Sequence, residues 1–185
     1  MGFFQGDVLR LREDLAALRP TFMASVPRLF NRFYDGMQSK IKELTGLKRA
    51  LINRAISVKL AALEKNAETT DAIYDRLVFK PFRDMLGGRV RAMLTGSAPL
   101  SKDVINFLKI AFCCPIFEGY GQTETAAAAT ITMLADPESG HVGGPVSTME
   151  IKLVDVPDMN YTSKDEINGV PHPRGEVCFR GSNVF

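Results

Sequence analysis

The sequence predicts an α/β fold: a parallel sheet with flanking helices, followed by an antiparallel β segment at the C-terminal end. Three observations predict it. A strand, a helix and a second strand follow one another between Arg89 and Gly119, and a βαβ unit of about 30 residues requires parallel strands. Helical segments precede this unit. Two stretches that alternate apolar and polar residues, 150–155 and 175–181, follow it as half-exposed strands.

Composition excludes several functional classes. The chain has 185 residues, 45 % of them hydrophobic and 24 % charged, with a net charge of +2, which gives no argument for a nucleic-acid partner. No apolar run approaches the roughly 20 residues of a membrane span. Three cysteines and two isolated histidines indicate neither a disulfide framework nor a zinc site. We therefore expect a reducing location, cytoplasmic or on the cytosolic face of a membrane. The oligomeric state is left open.

The first segment predicts an amphipathic helix followed by a strand. Asp7 is suited to cap a helix over 7–19, and Pro20 ends it. Residues 21–25 are short, apolar and partly β-branched, which is typical of a buried strand. Four apolar residues share one face of the helix: Val8, Leu11, Leu15 and Leu18.

A long helical pattern begins at Pro27, a residue suited to the first helical position. It extends to about Asn66, with loose breaks at Gly36 and at 45–46. Its basic residues are typical of a solvated helix face, and they leave peripheral contact with acidic lipid headgroups as a second interpretation. These residues are Lys40, Lys42, Lys48, Arg49, Arg54 and Lys59.

The next segment leads into the βαβ unit. Thr70 is suited to cap a helix that carries Ile73, Leu77 and Val78, kinks at Pro81 and ends at 87–88. The unit itself has a strand over 89–95, a turn over 96–100 and a strand over 116–119. Ser101 is suited to cap the intervening helix, whose apolar face carries Val104, Leu108 and Ala111.

The chemistry concentrates in the stretch 116–129, which predicts a strand, a tight turn and the start of an alanine-rich helix. Gly119 and Gly121 allow the backbone to approach a ligand closely. Tyr120 offers a flat face for a base, Thr123 a hydroxyl for a phosphate oxygen and Glu124 a ligand for Mg²⁺. The alternative is structural: Thr123 as a helix N-cap, Glu124 in the first turn and Tyr120 in the core.

The turn after each strand of the βαβ unit carries glycine. Ligands of parallel sheets bind beyond the carboxyl ends of the strands. That rule places 96–99 and 119–124 at the same edge of the sheet. We expect the two turns to form the walls of one crevice.

Six motifs in sequence order resemble long-chain fatty acid–CoA ligases of the adenylate-forming AMP-binding superfamily, and the similarity covers essentially the whole chain. The Gln122 variant and the Val26-Pro27-Arg28 segment are similar to the long-chain branch. The motifs are Gly2-Phe3-Phe4-Gln5-Gly6-Asp7, Pro20-Thr21 with Val26-Pro27-Arg28, Thr95-Gly96-Ser97-Ala98-Pro99, Glu118-Gly119-Tyr120-Gly121-Gln122-Thr123-Glu124, Gly140-His141-Val142-Gly143 and Gly175-Glu176-Val177.

The resemblance implies a role for each motif. Val26 and Pro27 lie near the entrance of an acyl tunnel whose wall includes Gly96 and Ala98. Thr123 and Glu124 are catalytic: Thr123 contacts the α-phosphate and Glu124 holds Mg²⁺. The nucleotide-binding residues are Gly96, Ser97, Ala98, Pro99, Glu118, Gly119, Tyr120, Gly121, Gln122 and Thr123.

The implied activity is ATP-dependent conversion of a long-chain fatty acid to acyl-CoA through an acyl-adenylate, with Mg²⁺ and with coenzyme A as a substrate. Two alternatives stay open at this point. One is a ligase for another carboxylic acid, since the tunnel floor cannot be read from the sequence. The other is a non-catalytic nucleotide- or acyl-binding module.

Parts of the family pattern do not occur in these 185 residues. The triphosphate loop with its lysine, the ribose-binding aspartate and the catalytic lysine of the mobile domain are not found. The resemblance therefore implies an interior fragment of one AMP-binding domain, with an α/β portion over 1–135 and a β-rich portion over 136–185. We expect the isolated fragment to be inactive.

Overall fold

The computed structural model describes residues 2–3, 5–7 and 10–185. Two compact units make up the chain. The first comprises the described residues up to Gly119 together with Thr132–Val142, and the second comprises Tyr120–Ile131 together with Gly143–Phe185. The division into portions 1–135 and 136–185 stays a prediction.

The first unit is built on a parallel sheet. In β1 and β2, Met23 lies opposite Met93, and in β2 and β3, Leu94 lies opposite Phe117. This confirms the predicted βαβ unit. The elements are α1 (Leu11–Leu18), β1 (Phe22–Ser25), α2 (Pro27–Glu43), α3 (Gly46–Asn66), α4 (Tyr74–Leu77), α5 (Lys80–Asp84), β2 (Ala92–Thr95), α6 (Lys102–Phe112) and β3 (Ile116–Tyr120), whose last residue belongs to the second unit.

Helix α6 is the centre of the core. Its Ser101 cap accepts the N–H of Val104 at 3.4 Å, as predicted. All nine residues from Val104 to Phe112 are buried. The helix is therefore buried on every side, whereas the sequence predicted one buried apolar face. The reason is that α2, α3 and α5 all pack against this helix. Two aromatic pairs meet edge to face here: Phe33 with Phe112 and Tyr34 with Phe107.

A buried ion pair joins three helices. Lys59 of α3 is only 1 % exposed and binds Asp75 of α4. Its Nζ also donates to the carbonyl of Ile110 in α6 at 2.8 Å and to Cys113 Sγ at 3.3 Å, and it lies 4.7 Å from the centre of the Phe79 ring. Burial raises the pKa of Cys113 to about 12, and the Lys59 charge partly opposes that rise.

Several predicted helix limits need correction. The described α-helix α1 begins at Leu11, after Arg10, and not at Asp7. Val8 and Leu9 lie outside the described residues, so capping by Asp7 stays a prediction. α2 runs through Gly36 without a break, because a single glycine costs a helix only about 1 kcal/mol, less than burial of the apolar side chains on its other face stabilises. The break at 45–46 is confirmed.

The segment before β2 also differs from its prediction. Asp71, not Thr70, satisfies the free amides at the start of α4: its carboxylate accepts the N–H groups of Ile73 and Tyr74 at 2.9 and 2.8 Å. Ile73 and Leu77 are exposed, so they form no apolar face. The predicted kink separates two short helices, and Pro81 lies in the first turn of α5.

Strand β1 is less buried than its composition predicts. Within the described residues its only hydrogen-bonded neighbour is β2. Phe22 is 55 % exposed on one face of the sheet, whereas Met23 on the opposite face is buried in the core. β1 is therefore an edge strand of this unit.

The second unit contains the predicted antiparallel strands. β6 pairs with β9, with Ile151 opposite Phe179, and β4 pairs with β5 and β7 with β8. The strands are β4 (Thr130–Ile131), β5 (Gly144–Pro145), β6 (Met149–Val154), β7 (Glu166–Ile167), β8 (Val170–Pro171) and β9 (Glu176–Gly181). The antiparallel segment at the C-terminal end is confirmed.

Candidate functional site

The carboxyl ends of β2 and β3 lie side by side in the first unit, as predicted. Thr95 pairs with Glu118, and a Cβ on Gly96 would lie 3.0 Å from the carbonyl oxygen of Gly119. A side chain at position 96 would therefore crowd the end of β3, and glycine allows the two strand ends to approach closely. The next residue, Ser97, has a φ of 71°, which turns the chain away from the strand.

The turn after β2 presents its side chains outward. Ser97, Ala98 and Pro99 are exposed, and Leu100 is buried beneath them. Glu118, by contrast, is buried at the end of β3. Its carboxylate accepts the N–H of Gly140 at 2.9 Å, so one oxygen of this predicted site residue is engaged by the protein itself.

The predicted helix after Thr123 is wrong. The stretch contains a single 3-10 turn, Thr123–Thr125. Ala126 and Ala127 then have φ values of 50° and 83°, and β4 begins shortly afterwards. Alanine propensity is overridden here because the chain folds back on itself: the N–H of Ala129 donates to the carbonyl of Tyr120 at 2.9 Å.

Two residues that sequence reasoning missed hold this turn. Thr125 Oγ1 accepts the N–H of Gln122 and donates to its carbonyl, both at 3.0 Å. Asn183 Nδ2 donates to the carbonyl of Thr125 at 2.8 Å. Gln122 and Thr125 have the spacing of a capping box but the reverse order of residue types, so the usual sequence pattern did not indicate this contact. Asn183 gives no local signal, because it lies far along the chain.

Gly121 has a structural requirement of its own. A Cβ at this position would lie 2.0 Å from the carbonyl oxygen of Ala127 and 3.0 Å from the Cα of Ala128. Real Cβ atoms do not approach backbone so closely. The glycine is therefore needed to close the turn, whatever it does for a ligand.

The side chains with the predicted chemistry are accessible. Thr123 and Glu124 are exposed, and within the described residues neither side chain has a hydrogen bond or an ion pair with the protein. Gln122, not Thr123, occupies the N-cap position, so the capping interpretation of Thr123 is wrong. Tyr120 is 41 % exposed and stacks on Phe179 with ring centres 5.9 Å apart, so it is not a core residue.

The described side chains could hold Mg²⁺ only together with the phosphates of a bound substrate. Among the described residues, no group of three or more His, Cys, Asp or Glu side chains is arranged to hold a metal. Mg²⁺ is commonly held by one or two carboxylates together with substrate phosphates and water. The free, exposed carboxylate of Glu124 fits that arrangement.

The predicted acyl-site residues lie at the start of α2. Pro27 is its first residue and is buried, and Val26 precedes it and is half-exposed. Val26 lines an open groove of about 730 Å³ in the first unit. The groove is mainly apolar, with Leu11, Leu15, Leu18, Phe22, Met23 and Leu29 among its lining residues.

The corner between α2 and α3 combines apolar and basic side chains. Leu47 is 89 % exposed and Leu51 45 % exposed, and with Arg54 they share one side of α3. None of the helices in the described part of the chain has the length and apolar character needed to cross a membrane. The exposed cations at this corner are Lys40, Lys42, Lys48 and Arg54.

Comparison with known proteins gives consistent matches. The family model described as AMP-binding enzyme matches residues 1–185. The chain is 50 % identical to "Long chain acyl-CoA synthetase 6, peroxisomal" of Arabidopsis thaliana and 45 % identical to "Long-chain-fatty-acid--CoA ligase 5" of Rattus norvegicus. All of the chain is matched in both, but it spans only 26 % of the length of each relative.

A solved structure gives the same fold. The chain resembles the A-PCP didomain of a carboxylic acid reductase from Segniliparus rugosus, which was solved in complex with AMP, with a TM-score of 0.64 and 26 % identity. The match covers 98 % of this chain and 21 % of that one. The parallel sheet with flanking helices is therefore the fold of an adenylating domain.

Proposed function

We propose a function from one premise: the chain belongs to the AMP-binding enzyme family. It supplies part of the nucleotide and acyl sites of a long-chain fatty acid–CoA ligase. The observation that carries this proposal is the 50 % identity, along all 185 residues, to a long chain acyl-CoA synthetase. The substrates are then a long-chain fatty acid, ATP and coenzyme A.

The reaction has two steps, and each is a nucleophilic substitution without oxidation or reduction. The fatty carboxylate attacks the α-phosphorus of ATP, a new O–P bond forms, and the bond to pyrophosphate breaks. The thiolate of coenzyme A then attacks the acyl carbon and AMP leaves. Both reactants of the first step are anionic, so positioning and charge neutralisation are the main requirements.

The nucleotide is assigned to the two glycine-bearing turns. In the first unit, Gly96, Ser97, Ala98 and Pro99 contribute, with Gly119 and with Glu118 through its place in β3. In the second unit, Gly121, Gln122 and Tyr120 contribute. Support comes from the exposed ring of Tyr120, whose contact with Phe179 fixes its plane and leaves area for a base.

Thr123 and Glu124 are assigned to the reacting phosphates. Their side chains are exposed and uncommitted within the described residues, so no protein contact must break before they bind a ligand. Thr123 can donate a hydrogen bond to an α-phosphate oxygen. Glu124 would hold Mg²⁺, which supplies positive charge against the phosphate oxygens when bound.

The acyl chain is assigned to the surface beside Val26 and Pro27, together with Gly96 and Ala98. The apolar lining of the groove at Val26 supports this assignment, because burying each CH₂ of a fatty chain is favourable by about 0.8 kcal/mol. A long aliphatic acid gains more from such a surface than acetate does.

The test uses the intact protein, by which we mean the full-length gene product that contains these 185 residues. Acyl-CoA formation is measured against saturated acids of increasing length, with benzoate and acetate as comparison substrates. We expect kcat/KM to rise with chain length. A preference for acetate or an aryl acid would show a ligase for another carboxylic acid, and ATP binding without any product would show a non-catalytic module.

We also assign peripheral membrane contact to the corner of α2 and α3, at the cytosolic face of a membrane. The exposed leucines suit the apolar boundary and the cations suit acidic headgroups. Leu47→Glu in the intact protein should weaken co-sedimentation with vesicles that contain phosphatidylserine. Leu134→Glu, a change at another exposed leucine, is the matched control. Equal binding of Leu47→Glu and the parent would refute this contact.

A further inference from the structure

A network of buried polar side chains lies behind the end of β3. Glu118, Thr132, Ser139, Lys109 and Asn106 are each less than a tenth exposed. No local pattern in the sequence groups these residues, since they come from α6, β3 and the segment 132–140. Buried charges are costly unless hydrogen-bonded partners satisfy them. Their presence here therefore requires a role.

Glu118 binds both ends of the segment 132–140. Its N–H donates to Thr132 Oγ1 and its carbonyl accepts the N–H of Thr132, each at 2.9 Å. Its carboxylate Oε1 accepts the N–H of Gly140, also at 2.9 Å. The backbone of β3 thus holds the beginning of the segment, and the carboxylate holds its end.

Helix α6 holds the same segment from a second direction. Lys109 Nζ donates to Ser139 Oγ at 2.8 Å, and Ser139 Oγ donates to Asn106 Oδ1 at 2.8 Å. Burial lowers the pKa of Lys109, and the nearby charges of Glu118 and Asp136 raise it in part. The hydrogen bond from Lys109 Nζ to Ser139 is the contact by which α6 holds this segment.

The network is not a ligand site. The cavity that Lys109 and Glu118 line has a volume of about 10 Å³, room for no more than one water molecule. Within the described residues Glu118 is hydrogen-bonded to Thr132 and Gly140, and the residue that follows it is Gly119, which belongs to the proposed nucleotide site. Glu118 thus belongs to the buried network and also adjoins the proposed nucleotide site, a position from which it can support that site.

We propose that Glu118 is a positioning residue for the nucleotide site, an inference that rests on the proposed ligase function. Through Gly140 it fixes the segment Gly140–Val142 against the carboxyl end of β3, and it thereby fixes the backbone at Gly119. The carboxylate does not touch the nucleotide. Lys109 holds the neighbouring Ser139. Binding groups of a phosphoryl-transfer site must be held to a fraction of 1 Å, which is what such a support supplies.

Four variants of the intact protein test the proposal. Glu118→Met removes the acceptor for the Gly140 amide, whereas Glu118→Gln keeps an acceptor oxygen without the charge. Lys109→Met combined with Glu118→Met also removes the buried cation at position 109. The double variant therefore separates the loss of positioning from the loss of stability. Glu138→Gln is the matched control, because it removes an exposed carboxylate from the same segment.

Amide hydrogen exchange measures the positioning directly. We expect exchange across 132–142 to become faster in Glu118→Met and in the double variant, and to stay near the parent in Glu118→Gln and Glu138→Gln. Unchanged exchange in Glu118→Met would overturn the proposal. This result does not depend on activity, so it separates the failure of the proposal from the failure of the ligase function.

Steady-state kinetics measure the consequence. We expect the KM for ATP in Glu118→Met to rise by about 10- to 100-fold, the loss typical of a missing support, with the KM for fatty acid unchanged. Glu118→Gln should stay within about threefold of the parent, because one neutral hydrogen bond remains. The double variant should regain melting temperature over Glu118→Met but not ATP affinity.

Two kinetic outcomes contradict the proposal. Equal loss in Glu118→Gln and Glu118→Met would show that the charge acts on the ligand itself. A parental KM for ATP in Glu118→Met would assign Glu118 to stability alone. A parent without ATP-dependent activity would instead refute the ligase function, and hydrogen exchange would still decide whether Glu118 positions Gly140.

Discussion

At the scale of single residues, a substitution of Glu124 can test the proposed chemistry without disturbing the fold. It is exposed, and its carboxylate has no hydrogen bond or ion pair within the described residues. Glu124→Gln in the intact protein keeps the size and removes the charge. We expect the rate of acyl-adenylate formation to fall by about 10²–10³ and the free energy of unfolding to change by less than about 0.5 kcal/mol.

ATP–pyrophosphate exchange and thermal unfolding measure these two quantities. Glu68→Gln, which also removes an exposed carboxylate, is the control and should change neither. If Glu124→Gln lost stability and kept its rate, the residue would belong to the turn and not to the reaction.

Gly121 is constrained by backbone alone. In Gly121→Ala, the new Cβ meets the carbonyl of Ala127 at 2.0 Å, so the turn must open. We expect the free energy of unfolding to fall by about 1–3 kcal/mol, as for other overpacked sites, and ATP affinity to fall with it. Gly144→Ala meets nothing within 4 Å and should behave as the parent in both measurements.

At the scale of elements, the buried pair of Lys59 and Asp75 fastens α3 to α4, and Lys59 also binds α6. Lys59→Met leaves Asp75 buried without its cation, which we expect to cost about 3–5 kcal/mol in urea unfolding. Lys59→Met with Asp75→Leu should recover much of that loss. Lys80→Met breaks an exposed pair with Asp84 and should cost about 0.5 kcal/mol or less.

Structural features that are determined by residues adjacent in the sequence could be predicted from it. Ser101 as a cap, Pro27 at a helix start and the alternating residues of 150–155 are local signals. The structure contains the cap, the helix start and a strand, Met149–Val154, although Leu153 of that strand is exposed. The alanine run after Thr123 shows the limit of such signals. Its helix propensity amounts to tenths of a kcal/mol per residue, and the hydrogen bonds that fold the chain back outweigh it.

The candidate site could be predicted only in part for the same reason. The exposure of Thr123 and Glu124 is usual for their residue types, but Glu118 and Thr125, of the same types, are buried. The supports could not be predicted: Glu118 bonds to Gly140, and Asn183 bonds to Thr125, across separations that no local pattern reports. The burial of α6 on every side likewise depends on three other helices.

At the scale of the whole molecule, two groups that the resemblance implies, a triphosphate loop with its lysine and the catalytic lysine of the mobile domain, are not found in these 185 residues. Positioning and electrostatics account for most of phosphoryl-transfer catalysis. We therefore expect the 185-residue chain by itself to show no fatty-acid-dependent ATP–pyrophosphate exchange and to bind ATP weakly. The intact protein, assayed in parallel, is the control. Measurable exchange by the short chain would contradict this expectation.

The pairing of β1 with β2 has a consequence for how the chain folds as it is made. Phe22 pairs with Ala92, and α2 to α5 lie between them. A ribosome adds about 5–20 residues per second, so β1 emerges several seconds before its partner exists. During that interval β1 lacks the partner β2 that it has in this structure. The unpaired edge of the nascent strand is therefore open to chaperones, or to wrong pairing with another chain, until the end of β2 has been synthesised.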